Sequence, residues 1–248
     1  MPVLRGGWPV FGIPIGIIML DCKFPRPMGD IGNARTFPFP VAYEVLREVP
    51  PVALTTERKP EAVDQLVEAA RKLERIGVGG ILTSCGLLIR YQELLAKTVK
   101  IPVATSSLLF LPFLGALLPR DRKIGIITAD PTPLSPEVLK QAGWNQLDRL
   151  VIKGMEGCDH FNKSIMEPSA PFELDTERLC KETLSVGAQL VSEDKGIGVL
   201  LLECTNLSPY SGQLRKSLSI PVYDVKQLAY LLHQSTNVRE IRQHDNDH

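Results

Sequence analysis

The sequence predicts an α/β protein of two pseudo-symmetric, doubly wound lobes, with parallel sheets and an active site in the cleft between them. Three observations predict it. Leu82-Thr83-Ser84-Cys85-Gly86 and Leu202-Glu203-Cys204-Thr205-Asn206 each set a cysteine at the end of an apolar run, before a helix-like segment. Ile-Pro-Val follows 16 positions after each cysteine, at Ile101 and at Ile220. The run Ile15-Gly16-Ile17-Ile18-Met19-Leu20-Asp21 is echoed by Ile124-Gly125-Ile126-Ile127-Thr128-Ala129-Asp130. An apolar triplet alone recurs by chance in strand-rich chains. Three features repeated in one order indicate a duplicated domain.

The chain has 248 residues, enough for a large core and for two lobes. We place the lobes at 1–118, with 219–248 packing back on it, and at 119–218. Lys plus Arg and Asp plus Glu number 28 each, so no net field draws in nucleic acid or an anionic membrane. Cysteines 22, 85, 158, 180 and 204 are odd in number and irregular in spacing, which reads as reduced thiols in a cytoplasmic setting. The apolar run 9–20 holds internal Gly and Pro, ends in Asp21 and lacks a small-x-small cleavage site, so it reads as a buried strand. The run 108–118 contains Pro112 and Gly115 and is too short to span a bilayer. A soluble protein is expected.

Residues 13–20 form the first strand, an unbroken Ile-rich run of the kind buried on both faces of a parallel sheet. The loop to Pro40 carries Pro25, Pro27, Pro38 and Pro40 with Gly29 and Gly32, which excludes helix and central strand. Loops after strand ends in such sheets lie where ligands bind, and a rigid surface excursion is the plain alternative. A short helix is expected at 41–48 and a strand near 51–56. In 60–76, Val63, Leu66, Val67, Ala70, Leu73 and Ile76 recur at three- and four-residue steps, with Pro60 at the start and Gly77 at the stop. The strand 79–84 then presents Cys85. A helix at 86–98 and a strand at 101–105 follow, and Thr105, Ser106 and Ser107 either contact ligand or cap the segment 108–118.

Residues 119–122 are polar punctuation between the lobes. The second lobe opens with a strand to Asp130, a Pro-rich loop, a helix at 136–142 and a strand at 148–152. An irregular loop spans 154–174, a helix 175–191, and a strand 198–202 delivers Cys204. A strand at 220–223, a helix at 225–234 and a polar tail expected to fray from Asn237 complete the chain.

In doubly wound lobes Cys85 and Cys204 both stand at carboxyl ends of strands, before helix N-termini. The helix dipole and unpaired N–H groups there are expected to lower a thiol pKa and to offer a carboxylate site. Two thiols facing one cleft suit inversion of a carbon beside a carboxylate, with a base on one face and an acid on the other. A free cysteine is otherwise a small buried hydrophobe, and Cys22, Cys158 and Cys180 are read so. Cys158-Asp159-His160 lacks the partners of a zinc site. No Gly-x-Gly-x-x-Gly follows a strand and no Gly-Lys-Ser/Thr phosphate loop is present.

Thr-Ser-Cys-Gly, Glu-Cys-Thr-Asn and the opening Gly-Ile-Ile-x-x-Asp resemble the cofactor-independent aspartate/glutamate/hydantoin racemase superfamily, over most of the chain. The resemblance implies two pseudo-symmetric α/β lobes and a catalytic pair, Cys85 and Cys204, in which one thiolate removes an α-proton and the other thiol returns one. It implies no cofactor and no metal. Asp21 matches the acid after the first strand and Thr205 the hydroxyl after the second cysteine. Substrate contacts are expected from Asp21, Ser84, Gly86, Thr205 and Asn206, with Asn33 and Thr105 added from the loops. Asp30, Arg26 and Arg35 are further loop candidates, for orienting substrate or pairing a distal carboxylate, with plain solvent-facing charge as the alternative.

The chain departs from the amino-acid racemases at Gly86-Leu87, where Asn-Thr is usual, and at Asn206, where glutamate racemases have His. The expected activity is racemisation or epimerisation of an amino acid, hydantoin or similar small carboxylate. The alternatives are a same-fold maleate cis-trans isomerase, an arylmalonate-type decarboxylase and a non-catalytic small-acid-binding protein. Decarboxylases of that type keep one of the two cysteines, so the pair argues against them. No nucleic-acid or membrane partner is expected, and assembly as a homodimer stays open.

Overall fold

The computed structural model describes residues 10–167 and 172–236. Two four-stranded, all-parallel sheets organise the described chain. In the first, β1 (Ile15–Leu20), β2 (Val41–Leu46), β3 (Gly80–Thr83) and β4 (Val103–Ala104) lie in the order β2-β1-β3-β4. In the second, β5 (Lys123–Thr128), β6 (Leu150–Gly154), β7 (Ile197–Leu202) and β8 (Val222–Tyr223) repeat it as β6-β5-β7-β8. The shared order is the structural form of the duplication. The expected tail from Asn237 and part of the 154–174 loop fall outside the described residues.

β1 is buried throughout, as its unbroken apolar run requires. One apolar cluster joins Ile15, Ile17 and Leu82 of the first sheet to Ile124, Ile126 and Leu201 of the second. The remaining faces are covered separately, by Leu66, Leu73 and Leu95 on the first sheet and by Leu179, Leu190 and Leu214 on the second. The long helix α2 (Pro60–Ile76) stops at Gly77, whose φ of 96° suits a residue without a Cβ.

Two expected elements are exchanged. Residues 41–46 form β2 rather than a helix, and 51–55 form helix α1 (Pro51–Thr55) rather than a strand. Val41, Tyr43 and Val45 favour the pleated, half-buried edge beside β1. Pro51, lacking an amide hydrogen, suits the first turn of a helix.

After each cysteine the chain makes a 3-10 turn and then a helix. These are 86–91 leading into α3 (Gln92–Thr98), and 205–210 leading into the helix Ser211–Leu218. The sheets are linked through α4 (Leu111–Leu117) and a connector at 118–122. Buried Arg149 secures it by donating to the carbonyls of Gly115, Pro119 and Arg122 at 3.2 Å each. The last described helix, Val225–Ser235, lies against the first sheet, with Leu232 beside Gly80 and Tyr230 edge-on to Phe39.

Candidate active site

The ends of β3 and β7 build the site by the same local rule. The Ser84 amide donates to Ile18 and the Glu203 amide to Ile127, both at 2.9 Å, and the next residue in each case is a cysteine released from the sheet. Glu203 is thus the counterpart of Ser84. Their side chains differ in use: the Ser84 hydroxyl accepts from the Leu20 amide at 2.9 Å, and Glu203 Oε2 accepts from the Thr128 hydroxyl at 2.6 Å.

The two strand ends interlock. Thr205 donates its hydroxyl to the Ser84 carbonyl at 2.6 Å, and Ser107 donates to the Leu202 carbonyl at 2.7 Å. Gly86 sits so close to Glu203 that a Cβ there would collide with Oε1 and with the Glu203 carbonyl. Glu203 is buried, and its Oε1 has no hydrogen-bond partner within the described residues. Cys204 is 8% exposed and Cys85 somewhat more, and each lies within electrostatic reach of Glu203.

Both thiols are raised rather than lowered, which corrects the expectation drawn from helix N-termini. Burial and then the Glu203 charge push Cys85 up to about 12. The same two causes, in the same order, raise Cys204 well above its ordinary value, with Cys85 and Asp30 adding to them. The expected amides are present: Leu87 and Leu88 stabilise the Cys85 thiolate and Asn206 that of Cys204, but desolvation outweighs them. Burial likewise raises Glu203 to about 7, against the opposing bond from Thr128.

The other expected residues are scattered. Asn206, two residues after Cys204, has a buried Oδ1 with no hydrogen-bond partner among the described residues. Asp21 instead pairs with Lys23 at 2.6 Å and lies near Arg47 and Glu48. Thr105 is fully buried and bonded to Gln92 Oε1 through its amide and hydroxyl, while Ser106 caps the next turn. Asn33 spends both ends of its amide inside its loop, on the Arg26 carbonyl and the Arg35 amide.

That loop nevertheless reaches the site through Asp30, one of the loop candidates. Buried Asp30 accepts from Arg26 at 2.9 Å and from the Gly32 amide at 2.7 Å, and its charge acts on Cys204. Next to it, Gly29 packs on Pro209, in the turn after Cys204. Cys22 also lies within electrostatic reach of Cys85. Glu203 was missed because its neighbours Thr128 and Gly86 are remote in sequence; its position beside Cys204 was the one available hint.

Among the described residues no three His, Cys, Asp or Glu side chains gather in a way that could hold a metal ion. No described helix is long and apolar enough to cross a membrane. An open recess of about 540 Å³ lies in the second lobe beside Lys153, Cys158 and Glu182, and one of about 240 Å³ beside Val49 and Ala62. Neither is lined by Cys85 or Cys204.

A family profile described as Asp/Glu/Hydantoin racemase matches residues 38–230. The chain belongs to the Asp/Glu/hydantoin racemase family. A dimethylsulfoniopropionate lyase from Durusdinium sp. clade D is 30% identical over 221 residues, covering 85% of this chain and 70% of the relative. Dimethylsulfoniopropionate lyase 7 of Emiliania huxleyi (strain CCMP1516) is 30% identical over 223 residues, covering 85% of this chain. The chain spans only 63% of that relative's length.

Solved structures share the family fold. A glutamate racemase from Bacillus anthracis superposes with a TM-score of 0.58 at 17% identity, covering 91% of this chain and 84% of the racemase. An allantoin racemase from Klebsiella pneumoniae gives 0.56 at 16%, covering 91% and 90%. Unliganded arylmalonate decarboxylase gives 0.52 at 13%, covering 90% and 92%.

Proposed function

We propose that this protein is a cofactor-independent enzyme of α-proton chemistry, that Cys85 and Cys204 are its acid–base pair, and that it is a lyase acting on dimethylsulfoniopropionate or a close β-sulfonio carboxylate. The observation that carries the lyase reading is the 30% identity, over 85% of the chain, to a dimethylsulfoniopropionate lyase. In the reaction a thiolate takes the proton from the carbon beside the carboxylate. The released electron pair forms the Cα=Cβ bond, and the Cβ–S bond breaks. Dimethyl sulfide leaves neutral, acrylate remains, and the proton passes from the thiol to solvent.

Charge in the site favours such a substrate. Glu203 acts on both thiols and Asp30 on Cys204, so thiolate formation is opposed while the site is empty. A bound sulfonium cation offsets those negative charges and lowers the cost of a thiolate, whereas a second carboxylate raises it. The backbone amides after the two cysteines are the donors best placed for the substrate carboxylate.

Racemisation of an amino acid or hydantoin is the second reading. The interlocked ends of two sheets favour it, since they supply one thiol each, as inversion needs. Incubation in deuterated water with dimethylsulfoniopropionate, and separately with aspartate, glutamate or a hydantoin, distinguishes the two readings. Equal amounts of dimethyl sulfide and acrylate, by headspace chromatography and proton NMR, are expected. Deuterium at the α-carbon of aspartate, glutamate or a hydantoin, with no sulfide release, would overturn the lyase in favour of the racemase. Neither signal would leave a binding protein.

A further inference from the structure

We propose that Glu203 is the positioning residue that governs when the thiols of the pair ionise, through a carboxyl group beside both with one oxygen held and the other left free. This rests on the reading of Cys85 and Cys204 as the acid–base pair. Three geometric facts carry it. Oε2 is held by Thr128 at 2.6 Å; Oε1 is buried with no partner among the described residues; and Gly86, next to Cys85, leaves no room for even a Cβ beside that oxygen. A carboxyl group serving only to fix the backbone would have both oxygens engaged, because a buried unpaired acceptor costs stability.

The groups facing Glu203 are few. Thr128 comes from the end of β5, Cys85 and Gly86 from the turn after β3, and Cys204 follows it directly. Asp30, already paired with Arg26, acts on Cys204, and Cys22 acts on Cys85. Neutral Glu203 lets a thiolate form beside it, and ionised Glu203 holds both sulfurs in the thiol form. Its raised pKa places that change near neutral pH. Glutamine keeps the shape and the Thr128 contact but removes the charge.

The test is initial-rate alkylation by iodoacetamide between pH 6 and 10, read for each cysteine by peptide mass spectrometry. In Glu203→Gln, the profiles of Cys85 and Cys204 are expected to move to lower pH by about one unit or more, with Cys158 and Cys180 unmoved. Unchanged profiles for both site cysteines in a folded variant would overturn the proposal. Thr128→Val is the second variant. Losing the hydroxyl keeps Glu203 neutral to higher pH, so the break that its ionisation puts in both cysteine profiles near pH 7 is expected to move up; if Glu203→Gln does not fold, an unmoved break overturns the proposal. A shift in a protein that releases no dimethyl sulfide supports the assignment to Glu203 while overturning the lyase reading alone.

Discussion

Thr205 donates its hydroxyl to the carbonyl of Ser84, so the residue after one cysteine is bonded to the residue before the other. The bond spans 121 positions of sequence and ties the two sheets together at the place where both thiols emerge. Thr205 is 2% exposed and Ser84 7%, so solvent does not replace the contact.

Thr205→Val keeps the volume and removes the donor. It leaves a buried carbonyl unpaired, which costs about 1–3 kcal/mol. Urea unfolding is expected to show that loss, and turnover is expected to fall beyond any change in KM because the spacing of the sulfurs is no longer fixed. An unchanged urea midpoint with full turnover would mean that the strand ends are held together elsewhere.

Cys85→Ala and Cys204→Ala are each expected to lower turnover by about 10²–10⁴-fold, the usual reach of a positioned acid or base. Far-UV circular dichroism should stay as in the parent, since alanine fits wherever cysteine does. Full activity in both variants would remove the thiols from the chemistry.

Glu203 makes stability depend on pH. Its folded pKa of about 7 lies above the ordinary 4.5, so the folded state binds more protons than the unfolded chain between those values. Stability from this group is therefore fully present below pH 4.5 and lost as pH rises through 7. Over that window the loss is on the order of 3 kcal/mol. Urea midpoints between pH 5 and 8 should fall in the parent protein and flatten in Glu203→Gln. Equal slopes would show that Glu203 does not titrate there.

Much of this was legible in the sequence, for a physical reason. A strand buried on both faces, such as Ile15–Leu20, needs an unbroken apolar run, and its echo at Lys123–Thr128 betrayed the duplication and the fold. The cysteines could be placed because each ends such a run. The edge strand Val41–Leu46 has no such signature: it is half-buried, and what makes it a strand is pairing with β1. Glu203 was hidden for the same kind of reason. Its partners Thr128 and Gly86 stand 75 and 117 positions away, so local pattern carries no trace of them. The lowered thiol pKa failed because position after a strand reveals nearby amides but not how completely the sulfur is desolvated.

The loop after β1 offers the last test, at Gly29. Its φ of 97° is one that side chains rarely adopt, and a Cβ would come within 2.8 Å of Pro209 Cα, in the turn that follows Cys204. Gly29→Ala therefore combines backbone strain with a clash that pushes loop and turn apart. Gly12 has a similar φ of 78° but open space around it, so Gly12→Ala reports the strain alone. Both variants are expected to lose about 1 kcal/mol or more in urea unfolding. Only Gly29→Ala is expected to raise KM and to speed limited proteolysis between residues 21 and 40, because only there does the loop bear on the site. Equal KM in the two variants would show that the Gly29–Pro209 contact does not shape substrate binding.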